Sequence, residues 1–467
     1  MTDISENRFA WIVLYSAMFI ILFLRRPDSL LNAQPWAEDG PIFLQQAIEH
    51  SYFSILIPYA GYLHLIPRLA TLFALQFGLK NAPFIMNLLA VLITIISASY
   101  IFSKDFKFLI KNDVVRFIAA IFIICMPTYE IFLNITNIQW PLSIYLILWT
   151  TNLIFGSGST TAAKALLALL VFLTCAASVV LLPALAWYVY KSRSMSILAV
   201  FSIAALNVLS SGSHARLSLP DAINAIRFIS APSIFTNFFN SKLPKYGYEI
   251  TYVIMIATLI ILIYYARDYY ARNDWHVDAW FGYLIVAFVL LISITRPIFI
   301  NLVDGQTVLN IGVGSRYVFI PLCLLFIICI RHLNANNYLI YLILFIFAIN
   351  IVSNYSIVQF PDLDFKSHAE KFNASGECNC TIPINPNGWS FTIPCITRDA
   401  YSWYVYGLVL DKQQKYDDAI KAYDKAIEIN PQFAAAWNKK GNALKTVGRT
   451  AEANLAFNKA KGLGYKS

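Results

Sequence analysis

Glu38 and Asp39 stand side by side in Gln34-Pro-Trp-Ala-Glu-Asp-Gly-Pro41, just past the first long apolar run of the chain. Carboxylates at a membrane edge are costly unless they face water, a cation or a substrate. An adjacent pair suits general-base chemistry, in which one carboxylate takes the proton of an attacking hydroxyl. Further on, Pro58-Tyr-Ala-Gly-Tyr-Leu-His-Leu-Ile-Pro-Arg68 gathers groups fit for sugar and phosphate. Tyr59 and Tyr62 offer flat faces for a pyranose, His64 a hydrogen bond or a proton, and Arg68 a planar fork for phosphate. Plainer uses exist for three of them. Asp39 can cap a helix, His64 can be structural, and Arg68 can snorkel to lipid headgroups. Capping does not account for Glu38.

These residues need elements to hold them. Pro41 favours the first turn of a helix, with Gly40 or Asp39 as its cap. Ile42, Phe43, Ala47 and Ile48 then form an apolar stripe opposite Gln45, Gln46 and Glu49, which predicts an amphipathic helix lying in a membrane interface. The chain as a whole is 58% hydrophobic and 13% charged over 467 residues, with a mean hydropathy of +0.60. Apolar runs recur at Phe9–Leu24, Phe84–Phe102, Val114–Phe132, Pro141–Phe155, Ala165–Tyr190, Met195–Leu209, Ile250–Tyr265, Phe281–Ile294, Tyr317–Ile330 and Tyr338–Ile351. Since about 20 apolar residues span a bilayer as helix, the expected fold is an all-α polytopic membrane protein with about 10–12 spans. Asp3, Glu6 and Arg8 precede the first run and no small-residue cleavage site follows it, so it reads as a retained anchor in a cell membrane.

Charge placement predicts orientation. The formal net charge is +9, and residues 401–467 carry 11 Lys/Arg against 6 Asp/Glu. The remaining cations sit at span ends, which is no nucleic-acid footprint. Short basic loops mark the cytoplasmic side, so Lys104–Lys111, Lys191–Arg193, Arg267–Arg272 and Arg331–His332 face inward. Residues 26–82, 131–139, 211–248, 296–315 and those after about 357 then face outward. This requires two short helices within 165–190 and no crossing by 62–79. The alternative, one helix over 165–190 and a full span over 62–79, puts Lys104, Lys107 and Lys111 outside. Cys125, Cys175, Cys323 and Cys329 lie in apolar runs as small hydrophobes. Cys378, Cys380 and Cys395 cluster in a polar stretch, where one disulfide such as Cys380–Cys395 fits an oxidising compartment better than zinc. Asn-x-Ser/Thr sequons occur at Asn134, Asn354, Asn373 and Asn379.

The C-terminal region repeats itself. Trp403, Gly407, Leu410, Ala419, Tyr423 and Ala426 recur 34 residues later as Trp437, Gly441, Leu444, Ala453, Phe457 and Ala460, with Pro431 closing the first unit. That pattern resembles the tetratricopeptide repeat, a helix-turn-helix of 34 residues. Two repeats fall short of the roughly three that stand alone, so the pair leans on a neighbour, as a capped spacer or as a docking module for a protein. The organisation is a membrane domain over 1–356, a Cys/Pro/Asn-rich outer connector over 357–399, and two repeats over 400–467.

The layout of residues 1–395 resembles the GT-C superfamily of integral membrane glycosyltransferases. Trp36-Ala-Glu-Asp-Gly-Pro41 takes the place of its acidic first outer loop, and Tyr59-Ala-Gly-Tyr-Leu-His64 that of its proline-aromatic stretch. A closer likeness is to bacterial and archaeal membrane proteins with the same WAEDG stretch, a PYAGYLHLIPR-like run and an INPNGW-like stretch after the last span. The resemblance implies inverting transfer of a sugar from a polyprenyl-phosphate donor on the outer face, with Asp39 or Glu38 as general base. The leaving phosphate needs nearby cations. Arg68, His214, Arg216, Arg296 and Arg316 are candidates, the last beside Tyr317 in Asn310-Ile-Gly-Val-Gly-Ser-Arg-Tyr317. No separate DxD-like pair follows, so no cofactor or obligatory metal is expected. A flippase for lipid-linked saccharides and a membrane scaffold acting through the repeats are the other readings. The first calls for charges near the bilayer midplane, whereas nearly all the ionisable groups here sit at span edges.

Overall fold

The computed structural model describes residues 4–59, 62–126, 131–156, 161–175, 180–210, 277, 280–282, 284–285, 319–333, 338–353, 359–375, 380–386, 388–393, 400–412 and 414–465. The fold is mostly helical, in two compact units. One comprises Met1–Glu370 with Ile382–Phe391, the other Lys371–Thr381 with Thr392–Ser467.

In the first unit the described apolar runs lie in helices, among α1 (Arg8–Arg25), α2 (Asp28–Leu31), α3 (Gln45–His50), α4 (Leu65–Leu75), α5 (Ala82–Ser99), α6 (Asp113–Cys125), α7 (Gln139–Phe155), α8 (Ala162–Phe172), α9 (Leu182–Ser192), α10 (Met195–Ser210), α11 (Phe319–Arg331) and α12 (Tyr338–Ser353). The run Ile250–Tyr265, and all but four residues of Phe281–Ile294, lie outside the described residues. The 165–190 run is two helices, and α4 is 11 residues long, about 16 Å at 1.5 Å per residue. The centre is α7, in which every residue from Pro141 to Leu153 is buried. An apolar circumference of that kind belongs inside a bundle. Its Ser143, Thr150 and Thr151 hydroxyls donate to carbonyls one turn back, at 2.6, 2.8 and 2.7 Å, so they bring no unpaired polar group into the core.

Polar contacts sort the helix ends into two sets. At one end Lys104 pairs with Glu6 at 3.0 Å and Lys164 with Asp105 at 2.6 Å. The Ile4 N–H donates to Asp113 there, and Arg116, fully buried, donates to the Phe102 and Ile110 carbonyls and to Asp113. These contacts gather the starts of α1, α6 and α8. At the other end Arg25 donates to the Ile124 and Met126 carbonyls at 2.9 and 2.8 Å, joining the ends of α1 and α6. There too the Cys175 thiol meets the Gln139 carbonyl at 3.2 Å, and Leu65 N–H meets the Leu173 carbonyl at 3.4 Å.

Among the described residues two helical stretches, Arg8–Arg25 and Leu79–Phe102, are long and apolar enough to cross a membrane by length and composition. α1 buries Leu14, Met18 and Leu22 and leaves Phe9, Ile12, Ile20 and Leu24 exposed. The chain beyond α12 adds α13 (Phe365–Ser375) and a hairpin of β1 (Cys380–Ile384) and β2 (Trp389–Ile393).

The second unit carries α14 (Ala400–Lys412), α15 (Tyr416–Ile429), α16 (Ala434–Thr446) and α17 (Thr450–Gly462). The starts of α14 and α16 are 34 residues apart, as are those of α15 and α17. A side chain on Gly407 would meet the Tyr423 ring at 2.4 Å, and one on Gly441 the Phe457 ring at 2.6 Å. The repeated glycine and aromatic are therefore one contact made twice, which draws each helix pair together. Ala419, Ala426, Ala453 and Ala460 are buried beside it.

Candidate functional site

The acidic dipeptide is held in a run of short turns: a 3-10 turn over Ala37–Asp39, a π turn over Gly40–Leu44, then α3. Asp39 is 1% exposed. One carboxylate oxygen accepts the Trp36 N–H at 3.0 Å, and the other accepts the Thr136 N–H and hydroxyl at 3.1 and 2.5 Å. Asp39 thus caps the turn behind it and ties it to residues 131–138, whereas the sequence placed it as a cap ahead of Pro41. Burial, opposed by these hydrogen bonds, pushes its carboxyl up to about 7. Glu38 differs. It is partly exposed, and its buried Oε2 has no hydrogen-bond partner.

The predicted amphipathic helix is shorter than expected, because the π turn occupies its first part. Its inward face is Phe43, Leu44 and Ala47, all buried. Gln46, assigned by the sequence to the polar face, instead accepts a hydrogen bond from Arg68 at 3.0 Å.

The second stretch lies against this face. Tyr59 and Tyr62 exchange backbone hydrogen bonds at 2.9 and 3.1 Å, and the Tyr62 hydroxyl donates to Gln139 at 2.5 Å. His64 follows with φ 51° and ψ 43°, a left-handed conformation costly for a residue with a side chain. It is 2% exposed, stacked on Tyr62 at 3.9 Å and 5.7 Å from the Phe43 ring. Burial, then the Arg68 charge, lower its pKa to about 3 against a weaker pull from the Tyr59 backbone, so the ring is neutral at pH 7. Neither ring nitrogen makes a hydrogen bond of good geometry, although the Tyr59 backbone lies close enough to act on the ring. Arg68, on the first turn of α4, is 1% exposed and lies 5.6 Å from the Phe43 centroid. Nε donates to the Leu63 carbonyl and Nη1 to Gln46, while the buried Nη2 is unpaired.

A third segment closes on the acidic turn. Ala37 N–H donates to the Asn385 carbonyl at 2.5 Å, and Asn385 N–H to the Pro35 carbonyl at 3.3 Å. Trp36 stacks on Phe360 at 4.3 Å. A side chain on Gly40 would come within 2.5 Å of Ile384 and 2.9 Å of Phe391, so the glycine lets the hairpin side chains approach this turn closely. The WAEDG and INPN stretches, remote in sequence, form one bridge.

Of the sequence-predicted site residues, Glu38, Asp39, Tyr59, Tyr62, His64 and Arg68 come to this end of the first unit. His214, Arg216, Arg296, Arg316 and Tyr317 lie outside the described residues, as do Cys378, Cys395, Asn354 and Asn379. Sequence reasoning missed Thr136, Gln46, Phe43, Gln139 and Asn385. The signal for Thr136 was its place in Asn134-Ile-Thr-Asn137, polar residues interrupting an apolar stretch. There Asn134 is buried and its side chain accepts the Asn137 N–H, so that sequon is closed to glycosylation. Among the described residues no three His, Cys, Asp or Glu side chains gather as a metal site requires.

The TPR repeat family model matches residues 407–448. Repeats of this kind form surfaces for binding other proteins. The uncharacterized protein MJ0572 of Methanocaldococcus jannaschii is 33% identical over 60 residues, which are 13% of this chain and 70% of that protein. No solved structure matches the chain.

Proposed function

We propose that this chain, which over those 60 residues belongs to the family of the archaeal protein and carries TPR repeats in its second unit, is a GT-C-like membrane glycosyltransferase. It transfers a sugar from a polyprenyl-phosphate donor to an acceptor hydroxyl on the outer face. The observation that carries this reading is convergence. Two stretches picked out by their chemistry, around residues 36–40 and 59–68, and a third picked out by the resemblance, around 384–386, meet at one end of the helical unit through Asn385, Phe43 and Gln46.

Two further observations support the membrane setting. α1 leaves Phe9, Ile12, Ile20 and Leu24 exposed along its length, a row of apolar side chains that suits contact with lipid. The end opposite the site holds Lys104, Lys107, Lys111 and Lys164, the cationic excess expected of a cytoplasmic face. In this reading the bundle is polytopic, with the site outward.

In the reaction, Glu38 takes the proton of the acceptor hydroxyl through its unpaired oxygen. The acceptor oxygen bonds to the anomeric carbon from the face opposite the phosphate. The anomeric C–O bond breaks, and its electron pair leaves with the polyprenyl phosphate. Asp39 is a positioning residue, because all three of its hydrogen bonds hold the loops together. The test is transfer from a panel of radiolabelled polyprenyl-phosphate sugars by the full chain in nanodiscs. Glu38→Gln is expected to lower the rate by about 100-fold or more. A rate that rises through pH 7 and is abolished only by Asp39→Asn would move the base to Asp39. No transfer by wild type to any acceptor would favour the scaffold reading, in which the TPR pair is the working part.

A further inference from the structure

Glu38 is aimed by its neighbours, since its own buried Oε2 makes no hydrogen bond. Ala37, the residue before it, has φ 42°, a left-handed conformation that a methyl group disfavours. Asp39, the residue after it, is fixed from one side by Thr136. The other side is fixed by residues 360–385, remote in sequence. The Asn385 carbonyl accepts the Ala37 N–H at 2.5 Å, and the Asn385 N–H donates to the Pro35 carbonyl at 3.3 Å. Asn385 is fully buried, and its side chain anchors this bridge. Its Nδ2 donates to the Pro361 carbonyl at 3.1 Å and to Gln34 Oε1 at 3.4 Å. Gln34 in turn accepts the Leu363 N–H at 3.0 Å and donates to Asp362 at 3.0 Å. Phe360 stacks on Trp36, and its N–H donates to Asp28 at 3.3 Å. We infer that Asn385 is a positioning residue for Glu38, the centre of a clasp that keeps Ala37 in its left-handed turn and so aims the carboxylate.

The direction of a side chain follows from the backbone angles around it. If Ala37 relaxed to the extended region, the planar peptide between residues 37 and 38 would turn, and Glu38 would leave its present direction. Relaxation is favoured locally, because a left-handed alanine is strained. The fixed acceptor at residue 385, which the Ala37 N–H meets in the present turn, opposes it. Asparagine suits that place. Its backbone gives the turn one acceptor and one donor, and its amide adds donors aimed at two oxygens. An aspartate there would set a carboxylate against those oxygens with no donor, and an alanine would leave the Pro361 carbonyl without this partner. The same clasp continues at Gly40, where Ile384 and Phe391 come close. The consequence for sugar transfer rests on the reading of Glu38 as the base, whereas the clasp itself does not.

Two measurements on the full chain in lipid nanodiscs separate the clasp from the chemistry. Hydrogen exchange in a peptide spanning residues 34–40 reports the Ala37 N–H, and steady-state transfer from a polyprenyl-phosphate sugar reports Glu38. In Asn385→Ala, exchange at Ala37 is expected to quicken about 10-fold, as for one lost hydrogen bond. The same variant is expected to lower kcat about 10- to 100-fold with KM within about twofold, as for a displaced reacting group. Ala37→Gly added to Asn385→Ala is expected to restore about 5-fold in kcat, because glycine adopts the turn without strain. A residue that merely stabilised the bundle would lower the melting temperature without that rescue, so its absence refutes the left-handed turn as the route. Phe360→Ala, which removes the stack on Trp36, is expected to show smaller changes of the same kind and serves if Asn385→Ala does not fold. Unchanged Ala37 exchange in the folded variants overturns the clasp. Faster exchange with unchanged kcat overturns the positioning role and leaves the transferase standing. Wild type without transfer to any acceptor takes the role in transfer with it, while Ala37 exchange still upholds or refutes the clasp.

Discussion

Two ion pairs in this chain share their spacing and their length. Asp113 and Arg116 meet at 2.8 Å three residues apart in the helical bundle, and Lys425 and Glu428 meet at 2.8 Å three residues apart in the repeat unit. Their surroundings are opposite. The Arg116 side chain is 0% exposed, whereas those of Lys425 and Glu428 are 56% and 68% exposed. Arg116 also donates to the Phe102 and Ile110 carbonyls, which fastens the start of α6 to the turn after α5. The lesson is that pairing geometry sets little of an ion pair's worth, and burial sets most of it. Arg116→Ala removes the cation from Asp113, leaves the Phe102 and Ile110 carbonyls without this donor and empties a fully buried position, and should cost about 3 kcal/mol. The melting temperature of the solubilised full chain measures it. A loss below about 1 kcal/mol would mean that this end of the bundle is as forgiving as the repeat surface, and the contrast would collapse.

Asp39 sharpens the comparison, because it is buried with donors but without a cation. Asp39→Ala leaves the Trp36 and Thr136 N–H groups unpaired, at about 1–3 kcal/mol each. Asp39→Asn keeps an acceptor and should cost less. The pH dependence separates the two effects. Asp39 has its carboxyl raised from 3.8 to about 7, so the native state holds this proton more firmly than the unfolded chain. Its stabilising contribution is complete below about pH 4 and is lost as pH rises to about 7. His64 runs the other way, lowered from 6.5 to about 3, so its contribution is complete above about 6.5 and is lost as pH falls toward 3. Melting temperatures between pH 4 and 7 should therefore decline less steeply, or rise, in Asp39→Asn relative to wild type. An unchanged profile would mean that burial does not raise the Asp39 carboxyl against the pull of its three hydrogen bonds.

The two regions were also unequally legible. In the repeats, one glycine, two aromatic and three small or aliphatic positions return at a fixed offset, and the contact that draws each helix pair together lies within one repeat. Gly407 against Tyr423 needs no knowledge of the rest of the chain. At the bundle end, the sequence exposed the chemistry but not the partners. Asp39 finds Thr136 at a separation of 97 residues, across loops in which Ala37, His64 and Leu133 all hold positive φ. None of these is glycine, so no residue type announced the conformation. Asn385 bridges to Pro35 and Ala37 through backbone groups, which every residue possesses and which leave no mark in composition. The amphipathic stripe after Pro41 was visible, but the π turn shifts its register, which is why Gln46 faces Arg68.

The smallest effect tests the comparison from the other side. Lys425 and Glu428 lie on the solvated face of α15, where the two chains of methylenes must be ordered to keep the pair and water screens the attraction. Such pairs contribute about 0–1 kcal/mol, and helix neighbours about 0.3–0.5. The same helix keeps Ala419, Tyr423 and Ala426 buried, so its stability resides in the packed face that the substitution leaves alone. Lys425→Ala should thus shift hydrogen-exchange protection of the repeat helices by no more than about 0.5 kcal/mol, and added salt should erase even that difference. A loss near 2 kcal/mol that persists in high salt would show that the exposed pair is covered by a partner or by another part of the chain, and the repeat surface would then belong with Arg116 among the buried charges.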